Sequence, residues 1–535
     1  MPRILASFRV IIGTAVIASL GLSGAAYAQK KGGTLVQLTS PEPPTLASYM
    51  NTSLAIPQVT GKIYDGLLEY DFNLKPQPSL AESFVVAPDG KSITFKLRHN
   101  VKFHDGAPFT SADVQFTFMD VLKKVHPRGI GALRELEAVE TPDPYTAIFK
   151  LANPAPYMLM ALAGADAPVI PKHIFGTGDI RNHPNANKPI GTGPFKLVEW
   201  RKGEFVRLDR NPDYWRPGMP YLDRVVVRFV PDASTRTALL EKGEAQLAGY
   251  GTVPFAQVKR LAANPSLEVT TKGYEMFSII ESITFNTKRP PFDNVKVRQA
   301  LSYAIDRQFI VDNVYFGYAK VATGQISSNF APAGFYTNQV KNYSAPDGLA
   351  IAGKLLDEAG LPKKENGVRF EVTLDTTAAY GEYYQRAAEV VQQNMARIGV
   401  KVNIRSEDVA TWLNRVFTQY DFDMTQVGLA NLADPVLGAY RAMHSVYIKK
   451  GAVFTNNAQW SSPRTDELMD AAARELDPAR RGALYKELQQ LLAEAAPAAW
   501  YVETQFPTVY NKNFKNVITS PQGLQGSFYS TWLDK

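Results

Sequence analysis

The spacing of apolar and polar positions changes period along this chain, and each change marks an element. From Ser92 to Val101, Ile93, Phe95 and Leu97 alternate with Thr94, Lys96 and Arg98, which predicts a half-buried strand launched by the turn Pro88-Asp89-Gly90. Strands are predicted likewise at 145–151, 195–200, 205–208 and 224–229, with a loop at Arg210-Asn211-Pro212-Asp213-Tyr214-Trp215. Thr110, with Asp113 three residues on, opens a capping-box helix running through Leu122, and a helix from Ser234 to Lys242 ends at Gly243.

The central stretch, Ile283 to Gly324, reads as a strand, a turn at Pro290 and Pro291, and a long amphipathic helix entered near Asn294. Val297, Leu301, Ala304, Ile305 and Val311 form its apolar stripe, and Gly317 is placed to stop it. Beyond it the pattern is α/β alternation: helix 349–359, strand 368–374, helix 383–398, strand 400–404, a half-buried stretch 422–427, a helix capped by Asp477 with Pro478 in its first turn, and a strand 498–502. The reading is an α/β protein whose centre is either a crossing between two units or an ordinary strand and helix unit inside one domain.

A length of 535 residues implies two or three packed domains, and 45% hydrophobic with 20% charged residues is a globular composition. Arg3 and Arg9 precede an apolar run from Val10 to Leu22 and the small-residue pattern Ala26-Tyr27-Ala28, so residues 1–28 read as a secretory signal peptide. With no later run of about 18 apolar residues and no cysteine to carry a lipid, the expected location is a periplasm, without a lipid anchor. Removing Arg3 and Arg9 from the count leaves 56 basic against 51 acidic residues, a charge of +5 that is dispersed and gives no nucleic-acid arm.

Chemistry has little to stand on. Gly90-Lys91-Ser92 imitates the tail of a phosphate-binding loop, but Val85 occupies the position of the required earlier glycine. Gly191-Thr192-Gly193-Pro194 lacks the third glycine of a dinucleotide fingerprint and reads as a tight turn. His104 and Asp105 are adjacent and so rarely face one another, the six histidines are scattered, and no H-E-x-x-H, G-x-S-x-G or S-x-x-K occurs. No enzyme activity, cofactor or metal is expected.

Several ordered blocks carry a resemblance: Tyr64-Asp65-Gly66-Leu67-Leu68, Pro78-Ser79-Leu80-Ala81-Glu82-Ser83, Val101 to Thr110 with Asp113-Val114, Gly191 to Phe195, Arg210 to Trp215, and Phe285-Asn286-Thr287 through Val297-Arg298-Gln299-Ala300-Leu301 to Ala304-Ile305-Asp306-Arg307. With these, the chain resembles the extracellular solute-binding proteins, family 5, of dipeptide, oligopeptide and nickel ABC transporters. The resemblance implies a two-lobed periplasmic-binding-protein fold with an extra subdomain inserted in lobe I. Lobe I would comprise 29–72, 190–288 and 505–535, the subdomain 73–189, and lobe II 289–504. It also implies a monomer that captures a peptide or peptide-like polar solute between the lobes and delivers it to the transmembrane subunits of an ABC permease. A peptide-holding chaperone or hydrolase on the same fold, and a receptor for a metal chelate, haem or opine, are the alternatives.

In peptide binders of the family an acidic side chain shortly before a D-P dipeptide holds the ligand's amino group; the corresponding position here is Asn431, before Asp434-Pro435. An amide offers no full charge, which leaves Asp434 as the alternative carboxylate and puts a free N-terminus in question. Most signature residues are expected to be structural. Further contact candidates are Ser40, Pro41, Thr45 and Leu46 in the proline-rich loop after the first strand, Asn51, Glu281 and Ser282 before the crossing, and Thr376, Tyr380, Tyr383 and Trp412. Glu281 stands in the apolar run Ile279, Ile280, Ile283, where it is either buried and in need of a partner or turned to solvent.

Overall fold

The computed structural model describes residue 29 and residues 31–534; the signal-peptide reading of 1–28 lies outside the described residues. Three sheets organise the chain. The first has seven strands in the order Leu267–Thr270, Thr508–Asn511, Leu247–Ala248, Thr34–Thr39, Arg224–Phe229, Phe205–Arg210 and Phe195–Arg201. The second has six, in the order Ala319–Val321, Ala498–Thr504, Ile279–Phe285, Met424–Ala430, Phe370–Thr377 and Val400–Glu407. A third, antiparallel sheet joins Ala81–Val86, Ser92–Leu97, Thr146–Leu151 and Leu136–Asp143.

Two sequence expectations change. The strand Ile279–Phe285, given to the first unit by a boundary at 288, lies inside the second sheet, between Met424–Ala430 and Ala498–Thr504. Both of its edges are paired and all but its first residue are buried, including the polar Glu281, Ser282 and Thr284. The long central helix is two helices, Val295–Ala304 and Arg307–Asn313. Ile305 is extended, the Asp306 amide donates to Asn394 Oδ1, and the Asp306 carboxylate accepts from the Phe309 amide, so a new N-cap replaces the continuing ladder.

The recurring sequence blocks turn out to be joints. Asp65 is buried and accepts hydrogen bonds from Thr192 Oγ1 at 3.0 Å, Trp215 Nε1 at 2.9 Å and Tyr214 Oη at 3.4 Å, tying three separate blocks together. Gly191 lies so close to the chain at Ile63 that a Cβ there would stand 2.1 Å from the Ile63 carbonyl oxygen. Arg298 caps the end of helix Pro478–Ala495, donating to the Ala495 and Ala496 carbonyls and, at its near side, to Phe292. Arg307 reaches the carbonyls of Ser302, Tyr343 and Trp500. His104 bonds to Gly193 O while Asp105 pairs with His173, so the two neighbours serve different contacts.

Phe255, on the helix Phe255–Ala262, packs against Tyr315 and Tyr383 at ring distances of 5.4 and 5.2 Å and stacks on Phe506 at 6.2 Å, closing one side of the gap between the two large sheets. Asp65→Ala is expected to lower the unfolding free energy by about 3 kcal/mol or more in urea titrations, with Asp65→Asn recovering part of the loss, because three buried donors lose their acceptor together.

Candidate functional site

A cavity of about 790 Å³ opens between the sheets. One wall comes from the loop after strand Thr34–Thr39, with Ser40, Pro41 and Gln58; another from the third-sheet region, with Phe118, His126, Arg128 and Arg134. The crossing contributes Met276, Phe277, Ile279 and Glu281, and the second-sheet side contributes Tyr380, Tyr383, Tyr384, Leu429 and Arg441.

Its surface is largely apolar, and its charges are few and uneven. Arg128 and Asp166 form an ion pair at 2.5 Å across the wall. Glu281, 2% exposed, has no hydrogen-bond partner for Oε2 and no ion-pair partner among the described residues. Burial alone pushes its carboxyl up to about 8, since no cation stands near enough to offset the lost hydration. Arg441 has no carboxylate partner among the described residues, and its Nε is buried and unpaired. Burial and then the nearby Arg128 bring its guanidinium down to about 10, so it stays charged at neutral pH.

Local structure places Glu281 deliberately. Opposite it on one side is Gly428, where a Cβ would stand 2.6 Å from Glu281 Oε2; only a glycine leaves room for the carboxyl to lie over the neighbouring strand. On the other side the pairing with Ala498–Thr504 slips between Glu281 and Ser282, so that Tyr501 is the extra residue of a bulge. Such bulges re-aim side chains. Tyr380, Tyr383 and Tyr384 line the cavity with it, and Tyr315 and Tyr501 belong to the core; burial pushes all five hydroxyls up, and the Glu281 charge adds to this.

Residues 75–448 match the family model for bacterial extracellular solute-binding proteins, family 5 Middle. The chain belongs to this family. It is similar to the glutathione-binding protein GsiB of Salmonella paratyphi A, at 31% identity over 476 residues covering 88% of each chain. Among solved structures it is similar to the ABC transporter-associated periplasmic binding protein DppA of Helicobacter pylori in complex with the peptide STSA, at 27% identity and a TM-score of 0.79, covering 95% of this chain and 99% of that one. It is also similar to the oligopeptide-binding protein AppA of Bacillus subtilis in complex with a nonapeptide, at 28% identity and a TM-score of 0.78, covering 95% and 100%. The two-lobed α/β fold of family 5 is therefore the fold of this chain.

Within that family 5 frame, the contact candidates separate into groups. Ser40, Pro41, Glu281, Tyr380 and Tyr383 line the cavity together. Thr376 and Trp412 stand behind the wall: Thr376 Oγ1 donates to Gln426 Oε1, and the wholly buried Trp412 donates to Thr425 Oγ1 with its ring against Tyr380. Ser282 donates to the Val427 carbonyl, on the opposite face of its strand from Glu281. Thr45 and Leu46 are held by Asn187 Oδ1, Leu46 being core, and Asn51 accepts from the Ser53 amide; none of the three lines the cavity.

The two candidates for the ligand's amino group are engaged elsewhere. Asn431 is fully buried and absent from the wall that its neighbours Leu432 and Ala433 form; its carbonyl oxygen accepts from the Ser327 amide, while its Nδ2 has no partner among the described residues. Asp434 is locked into Arg481 by two hydrogen bonds of 2.8 and 2.9 Å, both side chains buried, so its charge is already neutralised. Solvent exposure for Glu281 is likewise excluded. Sequence reasoning missed Arg441 and the Arg128–Asp166 pair: the pair is 38 residues apart in the chain, and Arg441 sits in a short helix whose spacing carries no signal.

Because the Glu281 carboxyl is raised in the folded chain above its usual value of about 4.3, the unfolded chain releases that proton first, and the folded state loses stability as pH rises from about 4.3 towards 8. The stability of Glu281→Gln relative to the parent is expected to rise by on the order of 3–5 kcal/mol between pH 4.5 and 8 in the absence of ligand, measured by urea unfolding at matched ionic strength.

Proposed function

We propose that this protein is the substrate-binding component of an ABC importer, holding a peptide or peptide-like polar solute in the cavity between its lobes and handing it to the permease. The observation that carries the reading is the cavity itself: an apolar chamber bearing an unpaired carboxyl at Glu281 and an unpaired guanidinium at Arg441. Such a chamber suits a ligand that brings both charges with it. GsiB, named for glutathione, and the DppA complex with a tetrapeptide support a solute of this kind. A volume of about 790 Å³ falls within the roughly 300–1,000 Å³ of small-molecule sites, which favours a short solute over the nonapeptide held by AppA.

In this reading the first sheet is the core of lobe I, the third sheet is the subdomain inserted at 73–189, and the second sheet is the core of lobe II. The protein works as a periplasmic monomer after removal of 1–28 and performs no chemistry. Selection rests on how much better the closed form holds one solute than another. Ser40, Pro41, Tyr380 and Tyr383 contact the ligand, and Arg441 holds its anionic group.

Mass spectrometry of small molecules released by denaturing the protein purified from its own host is expected to give one polar compound or a short-peptide ladder near one equivalent. An empty protein that also fails to bind peptide pools would remove the reading. Arg441→Met is expected to weaken binding of a carboxylate-bearing solute at least tenfold in titration calorimetry, as a charge-assisted contact is lost, while leaving the melting temperature within a few degrees of the parent.

A further inference from the structure

Two carboxylates lie on the cavity wall, and they differ in kind. Asp166 is matched by Arg128, whereas Glu281 has no partner among the described residues. Neither protonation state satisfies it: a carboxylate needs donors, and a neutral acid needs an acceptor for its own proton. The group is also unable to move away. Its strand is paired along both edges, Gly428 forms the floor under the carboxyl, and the bulge at Tyr501 fixes the direction in which it leaves the sheet. Tyr384 Oη, in the same enclosure, is buried without a partner too. Here a polar site has been kept inside an apolar wall with its valences open, and Tyr380, Tyr383 and Tyr384, which line the cavity with it, supply hydroxyl oxygens and aromatic faces, both of which attract a cation.

We infer that Glu281 is the seat of the ligand's cationic nitrogen, taking over from position 431 the task of holding an amino group, and that Gly428 is glycine in order to leave space for it. The inference rests on the solute-capture reading above and names the end of the solute that selects it. An ammonium has three N–H donors, which the Glu281 carboxylate and the hydroxyls of the cavity-lining Tyr380, Tyr383 and Tyr384 can accept. Arg441, on the same cavity, draws the opposite end, so the solute lies in one orientation. Asn431, which stands off the cavity wall, and Asp434, committed to Arg481, take no part in holding it.

A consequence sets this site apart from a permanently ionised carboxylate. Empty and near neutral pH, Glu281 carries its proton; the arriving cation stabilises the carboxylate, and the proton leaves to solvent. The groups facing it, Tyr315, Tyr380, Tyr383, Tyr384 and Tyr501, titrate well above this range and do not share in the exchange.

The test uses an equimolar pool of tri- and tetrapeptides lacking Lys, Arg and His, and the same pool with the terminal amine replaced by hydroxyl. Retention on the purified protein is read by native mass spectrometry. The amine pool is expected to be retained at least tenfold better than the hydroxyl pool, and Glu281→Gln is expected to lose that preference. Calorimetry of the amine pool at pH 7 in phosphate and in Tris is expected to show release of most of one proton by the parent protein and none by the variant. Equal retention of the two pools, or an unchanged preference in Glu281→Gln, overturns the assignment and leaves solute capture standing. Retention of neither pool removes the peptide reading on which it rests. The comparison of pools needs only the unaltered protein, so it decides the matter even if the variant does not fold.

Discussion

One buried carboxylate holds the architecture in register. Asp65 stands where the chain passes from the first sheet towards the third, and it gathers the indole of Trp215, the hydroxyl of Tyr214 and the hydroxyl of Thr192 around a single group. Burial raises its carboxyl and those donors pull it back, so the ion is tolerated only while all of them are present. Arg98 and Arg216 then lie over the faces of Trp215, and Arg216 bonds to Glu69, extending the joint into a layered cluster of charges and rings. The segment from Ser40 to Gln58, which supplies one cavity wall, directly precedes this joint.

Around the cavity the same physics is applied in the opposite sense. At Asp65, Asp434 and Arg298 every buried charge is answered by protein groups. At Glu281 and Arg441 it is not. The contrast distinguishes side chains that build the fold from side chains left for something outside it, and it does so without reference to sequence similarity. Phe506, on the cavity wall, stacks on Phe255, whose ring also packs against Tyr315 and Tyr383.

Much of the fold could be read from the chain. The alternation of Ile93, Phe95 and Leu97, the Thr110–Asp113 capping box and the Asp477 cap each produced the element their local chemistry calls for. What failed was non-local. Ile305 continues the apolar stripe, and the helix ends there because Asp306 caps a new helix at Phe309 and is held by the distant Asn394. The site was less legible than the fold. Glu281 announced itself as a charge among isoleucines, but Asn431 and Trp412 are silent about burial, and the partners that occupy Asp434 and Arg128 come from 47 and 38 residues away. A side chain's availability depends on whether its valences are already taken, and spacing along the chain does not carry that information.

The order of strands in the first sheet bears on how the protein comes to exist. The strand Thr508–Asn511 sits between Leu247–Ala248 and Leu267–Thr270, so the sheet begun at Thr34 stays open until nearly the whole chain has emerged. Contacts of such long sequence separation form late and slowly, after a large loop-closure entropy has been overcome. A nascent chain of this sequence therefore lacks the strand that joins Leu247–Ala248 to Leu267–Thr270 until Thr508–Asn511 has been made.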